Sequence, residues 1–386
     1  METKDFVKRN SMITALAVVF VLFAVITGGR LLVPQNLSNL LLQNSYVLIM
    51  ACGMLLCILT GGNVDLSVGS TVCVVGAAAA QMLSHGLPAL AVIPVCLLLS
   101  VIIGAAQGYL IGYVHIPPFI CTLAGMFLLR GLGRLILGSR TVTIHDRTFL
   151  DIFSSYISIP GLDSGGTKWS AFVLGCLFAA AVVASLAASR SGRQKELLTQ
   201  TSAARDSVKA AVIVLLILAY TWQLAHFRGI SVMALWVIAV VIFYSFVTSR
   251  TSVGRHFYAV GGNEKAAKLS GINTRKVYFL AYTSMSLLAG LSAMIVAARV
   301  GSVNGDTGSS FEMDAIAACF IGGASPYGGS GTVLGVVVGA ILLGVINQGM
   351  SVIGLDNNFQ FIVKGIVLLA AVVFDVVSNH KTGKAG

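Results

Sequence analysis

The stretch LLCILTGGNVDLSVGSTVCVVGAAAA (residues 55–80) decides how this chain is read. Two apolar runs flank a short polar insert, Thr60–Ser70, that holds three glycines, Asn63, Asp65 and two serines. A helix crossing a bilayer needs about 20 mostly apolar residues, and glycine, asparagine and aspartate in its middle are penalised. The insert therefore marks a broken helix. Irregular backbone at that depth is tolerated only where protein buries it or where it lines water. Asp65 accordingly has two compatible readings: it caps the helix that restarts near Leu66 or Ser67, or it lines a permeation path or gate.

Outward from that insert the chain stays apolar. Only 10% of its 386 residues are charged and 56% are hydrophobic, with a mean hydropathy of +0.90. A soluble globule carries about 25% charged residues, so the expected fold class is an all-α polytopic membrane protein, one transmembrane domain over residues 1–386. Candidate spans fall at 12–33, 45–60, 68–84, 88–114, 118–138, 170–189, 208–226, 231–249, 277–299, 312–324, 331–350 and 359–378. The short piece at 312–324 leaves the number of crossings between ten and twelve. The basic flank before Met12–Ile26 resembles a signal peptide, yet no small-residue cleavage site precedes a polar domain, so a retained first span is expected.

The net charge of +11 is informative through its placement. Basic residues crowd positions 1–11, the loop 190–209, the loop 250–276 and the C-terminal 379–386. By the positive-inside rule these four regions face the cytoplasm, which puts both termini inside and the segment 139–169 outside. That segment mixes aromatics with Pro, Gly and Asp and is expected to form short helices or strands, either as a connection or as a docking surface. The basic residues lie in short loops with no soluble domain to present them, which argues against nucleic acid as a partner.

Small residues recur at four-residue spacing in Gly104, Gly108 and Gly112, and again in Gly331, Gly335 and Gly339, a pattern that lets two helices approach closely. The order of apolar run, double glycine, polar linker and small-residue run returns in AACFIGGASPYGGSGTVLGVVVGA (317–340), which suggests a parallel internal repeat with both linkers on one side. Polar candidates for a translocation path or gate are Asn63, Asp65, Ser67, Gln107, Asn347 and Gln348; the last two can bond either a polar solute or a neighbouring helix. Arg130, Arg134, Arg299 and Lys364 are expected to snorkel toward the interface.

Enzyme chemistry finds no footing. The six histidines and seven cysteines show neither zinc-ligand spacing nor a disulfide framework, so no metal site is expected. There is no G-x-S-x-G elbow and no G-x4-G-K-[ST] loop, so ATP-driven transport would need an ATPase on another chain.

The longest charged connection is TSVGRHFYAVGGNEKAAKLSGINTRKVYFLAY (251–282). Its EKAAKLSG core predicts a short helix over about 263–270, with Asn263 as N-cap, Glu264 in the first turn and Gly271 as the stop. By itself this is an amphipathic loop helix on a membrane surface. The stretch also resembles the coupling loop of ABC importer permeases, specifically the ribose/xylose/galactose-type sugar permeases. Glu264 is displaced by one residue from the pair Ala266–Ala267 and the distal Leu-Pro is missing, departures usual in the monosaccharide branch. ILTGGNVDLSVGS (58–70), IPPFICTLAGMFLLRG (116–131), FEMDAIAACFIGGASPYGGSGTVLGVVVGAILLGVINQGMSVIGL (311–355) and FQFIVKGIVLLAAVVFD (359–375) agree with that family in order. An extra region, roughly 170–226, makes the longer xylose or multiple-monosaccharide members the most similar.

The resemblance implies a many-helix permease like those of vitamin B12 and siderophore importers, in a bacterial inner membrane. It further implies a second permease copy or sister permease, a periplasmic sugar-binding protein, a monosaccharide substrate, and a cytoplasmic ATPase that carries ATP and Mg. It assigns ATPase coupling to Gly261, Gly262, Asn263, Glu264, Ala266, Ala267 and Gly271. From the residues alone, a secondary carrier or facilitator for a small polar solute stays open.

Overall fold

In a computed structural model, which describes residues 11–159, 161–163, 167–195 and 203–381, the chain is an all-α bundle. The expectations for the basic residues at 1–10 and 382–386, and for 196–202 within the loop 190–209, lie outside the described residues. The helices are α1 (Ser11–Ile26), α2 (Pro34–Leu59), α3 (Val68–Ser84), α4 (Ala89–Gly112), α5 (Pro118–Leu137), α6 (Arg147–Ser154), α7 (Trp169–Lys195) and α8 (Ala203–Ala225). They continue as α9 (Val232–Arg250), α10 (Ser252–Gly262), α11 (Glu264–Leu269), α12 (Thr274–Val300), α13 (Phe311–Ile321), α14 (Val333–Ile353) and α15 (Asn357–Lys381). Among the described residues six of them, α2, α4, α5, α9, α12 and α14, are long and apolar enough to cross a membrane. Each expected span overlaps a helix, but α13, at the expected 312–324, has 11 residues and is too short to cross a bilayer.

Boundaries differ from expectation at the start. The first helix ends at Ile26, Gly28 and Gly29 turn the chain with positive φ, and α2 begins at Pro34, eleven residues earlier than the expected 45. Val33 is extended and Pro34 sits in the first turn, where its missing N–H is no loss. Helix α10 was not expected at all.

Helices α2 and α12 form the centre: 78% and 72% of their apolar windows are buried inside the chain, against 33% for α4 and 28% for α5. The outer helices turn apolar faces outward, as lipid contact requires, whereas a soluble fold would bury them. Close approach follows the glycines. A Cβ at Gly104, Gly108 or Gly112 would fall within 2.8 Å of α12 backbone or side-chain atoms at Ser286, Phe279 and Arg275, so the α4 register packs on α12 as its spacing suggests. The second register is only partly helical. Gly335 and Gly339 press on Gly322 and Ala318 of the α13 end, but Gly331 lies before α14 in the linker.

The segment 139–169 forms short elements, as expected. Strand β1 (Val142–Thr143) pairs antiparallel with β2 (Ser302–Val303), joining the end of α5 to the end of α12. Asp146 accepts the Phe149 N–H at 2.7 Å to start α6, whose Phe149 and Phe153 are buried, the latter stacked on Trp236.

Candidate functional site: a glycine junction between two helix breaks

Three glycine-bearing segments meet at one end of the bundle. The α2–α3 break contributes Leu59, Gly61 and Gly62; the α13–α14 break contributes Pro326, Gly328 and Gly329; the end of α10 contributes Gly261 and Gly262. A Cβ at Gly261 would lie 1.7 Å from the Leu59 carbonyl oxygen and 2.4 Å from the Gly329 nitrogen. A Cβ at Gly62 would lie 1.9 Å from the Pro326 carbonyl oxygen, and one at Gly328 would lie 2.4 Å from the Gly61 Cα. Backbone therefore touches backbone where only glycine fits. The Gly329 N–H donates to the Leu59 carbonyl at 3.1 Å, and the Tyr258 hydroxyl of α10 donates to the Gly331 carbonyl at 2.8 Å. The two linkers that echo one another in sequence are thus side by side, and the second is bonded to the last residue of α2.

The connection that follows α10 folds as its sequence predicts. Asn263 Oδ1 accepts the Ala266 N–H at 2.9 Å, α11 runs Glu264–Leu269, and Gly271 follows at φ +84, a left-handed turn that a side chain would strain. The Tyr278 hydroxyl on α12 donates to Glu264 Oε2 at 3.0 Å, tying this short helix to the central helix. Ala267 is buried beneath it, while Ala266 is exposed and a Cβ on Gly262 would point into open space. Leu269 is 90% exposed, the most exposed large apolar side chain described. Sequence reasoning passed over Leu269, Tyr258 and Tyr278; an apolar residue beside the glycine stop of a charged loop helix was the available signal for the first.

The six expected path residues do not form one site. Asn63 donates to the Thr60 carbonyl at 3.0 Å and stays in the linker. Asp65 and Ser67 are fully buried, and Asp65 Oδ1 accepts both the Ser67 N–H at 2.8 Å and the Ser67 hydroxyl at 2.6 Å. The aspartate thus closes a tight turn onto Ser67, and Ser67, not Asp65, is the N-cap residue of α3. Gln107 Nε2 of α4 donates to Ser67 Oγ at 2.9 Å, and Gly125 of α5 makes room, since a Cβ there would sit 2.5 Å from that amide. Among the described residues Asp65 Oδ2 has no hydrogen-bond partner, nor has Glu312 Oε2 of α13, which lies where a Cβ on Gly69 would meet it at 2.3 Å.

Asn347 and Gln348 lie elsewhere. They line a cleft of about 280 Å³ at the other end of α14, about 20 Å along the helix from its first residue. Nearby, Asp314 accepts the Tyr46 hydroxyl at 2.6 Å and pairs with Lys364 Nζ at 2.8 Å, so Lys364 is held in an ion pair and does not snorkel. Arg130 likewise turns inward to donate to the Thr307 carbonyl at 2.7 Å, and Arg134 pairs with Asp306 at 2.9 Å.

Comparisons with known proteins agree over almost the whole chain. The family described as "Branched-chain amino acid transport system / permease component" matches residues 36–372. The xylose transport system permease protein XylH of Haemophilus influenzae is 36% identical, over 96% of this chain and 96% of its own length. XylH of Escherichia coli K12 is 33% identical over 96% and 92%, and the ribose import permease protein RbsC of the same organism is 31% identical over 97% and 95%. No solved structure matches the chain significantly. With near-complete coverage and the helix order described above, the chain belongs to this family of multi-pass transport permeases, in its xylose- and ribose-type ABC sugar permease group.

Proposed function

We propose that the chain is the membrane-spanning subunit of an ATP-driven, binding-protein-dependent monosaccharide importer of the bacterial inner membrane, a transport component and not an enzyme. The observation that carries this is the junction of Gly261 with Leu59 and Gly329, flanked by the exposed Leu269. A partner that docks on α11 and displaces it moves α10, and α10 rests directly on both helix breaks. Through those breaks the displacement reaches α2, α3, α13 and α14 together. Such a coupling works because the contacts at the junction differ between two arrangements of packed, discrete elements.

Leu269, Lys265, Lys268 and Glu264 then form the face offered to a cytoplasmic ATPase that holds ATP and Mg. On this reading α10 and α11 lie inside, both termini lie inside, and 139–169 lies outside, where a periplasmic sugar-binding protein docks; a second permease copy or a sister permease completes the complex. The family's description names branched-chain amino acids, whereas the relatives matched end to end bear pentose names, and a pentose such as xylose or ribose follows from them.

The test is uptake of D-xylose and D-ribose by proteoliposomes containing the chain with and without its ATPase and binding protein. ATP-dependent uptake only in the complete complex, together with loss of ATPase association in Leu269→Glu, is the expected result. Uptake by the chain alone would establish a facilitator instead.

A further inference from the structure

A steric contact can push but cannot pull. Gly261 abuts Leu59 and Gly329, so a movement of α10 toward the two helix breaks must displace them. A movement away leaves them behind, because dispersion between touching atoms is weak and short-ranged. A cycle that returns to its starting state therefore needs links that bear tension, and a hydrogen bond is such a link.

Two tyrosine hydroxyls supply one for each break. Tyr258 of α10, half-buried, donates to the Gly331 carbonyl at 2.8 Å, just before α14 begins. That break is a closed turn: the Ser325 N–H donates to the Ser330 carbonyl at 2.9 Å, and the Gly328 N–H to the Ser325 carbonyl at 3.0 Å. A pull on Gly331 thus moves the turn as one piece. Tyr278 of α12, also half-buried, donates to Glu264 Oε2 of α11 at 3.0 Å. The Asn63 side chain of the α2–α3 break is the other polar group at that hydroxyl, and its Nδ2 also donates to the Thr60 carbonyl at 3.0 Å. A hydroxyl donates and accepts at once, so Tyr278 joins α11 to this break through a single oxygen. One turn further along the same face of α12, the fully buried Tyr282 hydroxyl has no hydrogen-bond partner among the described residues.

We infer that Tyr258 and Tyr278 are positioning residues that draw the α13–α14 and α2–α3 breaks back when α10 and α11 withdraw. The inference rests on the importer reading above and adds to it the return stroke, carried by side chains where the forward stroke is carried by glycine backbone.

The experiment measures sugar transported per ATP hydrolysed, with D-xylose and D-ribose, in proteoliposomes holding the complete complex with Tyr258→Phe or Tyr278→Phe. Each substitution removes one oxygen and keeps the ring. The ratio should fall about two- to tenfold in each, the shift in a two-state balance that follows the loss of one ordinary hydrogen bond. Tyr282→Phe, which removes a hydroxyl that bonds nothing, should leave the ratio unchanged. The ATPase should co-purify with all three variants, and its loss from either tether variant would place that tyrosine in the docking face and overturn the inference. Hydrogen exchange of the full chain in lipid nanodiscs reads the tethers separately: faster exchange is expected at 325–331 in Tyr258→Phe and at 60–67 in Tyr278→Phe. An unchanged ratio in either variant, an equal fall in Tyr282→Phe, or both breaks loosening in one variant overturns the inference. The unsubstituted complex separates the two failures: ATP-dependent uptake with unchanged ratios removes the tethers alone, and no ATP-dependent uptake removes the importer reading and the return stroke with it.

Discussion

Gly261 packs against Leu59 so closely that a Cβ on the glycine would lie 1.7 Å from the leucine carbonyl oxygen. The last turn of α10 therefore bears on the last turn of α2 with no side chain between. Gly261→Ala must drive the two apart, an overpacking of about 1–3 kcal/mol placed at the junction. Less sugar carried per ATP hydrolysed is expected, with ATPase still bound, as measured by parallel uptake and hydrolysis assays. Gly262→Ala, next to open space, should show a much smaller change. Equal effects of the two substitutions would count against the contact as the transmission point.

Asn263 holds α11 through one hydrogen bond to the Ala266 N–H. Asn263→Ala should destabilise that short helix by about 1 kcal/mol, and Asn263→Ser should restore most of it. Hydrogen exchange of the amides from 264 to 270 reads this directly. Faster exchange confined to these amides, with α12 unchanged, is the expected pattern.

The triad Tyr46, Asp314 and Lys364 ties α2, α13 and α15 together with side chains largely withdrawn from solvent. Lys364→Met leaves Asp314 charged and unpaired, a loss of about 3 kcal/mol, near the low end for a broken buried pair because Tyr46 still donates. Thermal unfolding in detergent should show it. Lys364→Met with Asp314→Asn should recover part of the loss, and an additive double substitution would deny the coupling.

Asp163, in the 139–169 segment, is held below the usual carboxylate range, first by the Ser170 N–H and then by the Ser158 hydroxyl, with distances of 3.0 and 2.7 Å. A carboxylate whose folded pKa is depressed contributes stability that is present above its unfolded value, about 3.9, and is lost as pH falls through the folded one. Limited proteolysis of the 155–170 region should therefore accelerate below about pH 4. In Asp163→Asn the same cleavage should already be faster at neutral pH and nearly independent of pH.

Local features are legible in the order of residues. Asn263, Glu264 and Gly271 bound α11 within a residue, and the Gly104–Gly108–Gly112 face packs as its spacing suggests, because caps and four-residue registers depend on near neighbours in the chain. The site is legible only in pieces. Asp65, Ser67 and Gln107 share one buried network, whereas Asn347 and Gln348 stand in a separate cleft. A polar residue in an apolar span is visible in sequence, but its partner is not: Lys364 reads as a snorkelling side chain until Asp314 is brought within 2.8 Å.

By itself the sequence determined the membrane-embedded helical class, the two helix breaks and the form of α11, since hydropathy, glycine and capping chemistry act over a few residues. The tertiary structure alone decided that the breaks at 60–67 and 322–332 meet each other and meet Gly261. That meeting joins segments that stand far apart in the chain, and it depends on backbone-to-backbone packing that only the folded bundle sets.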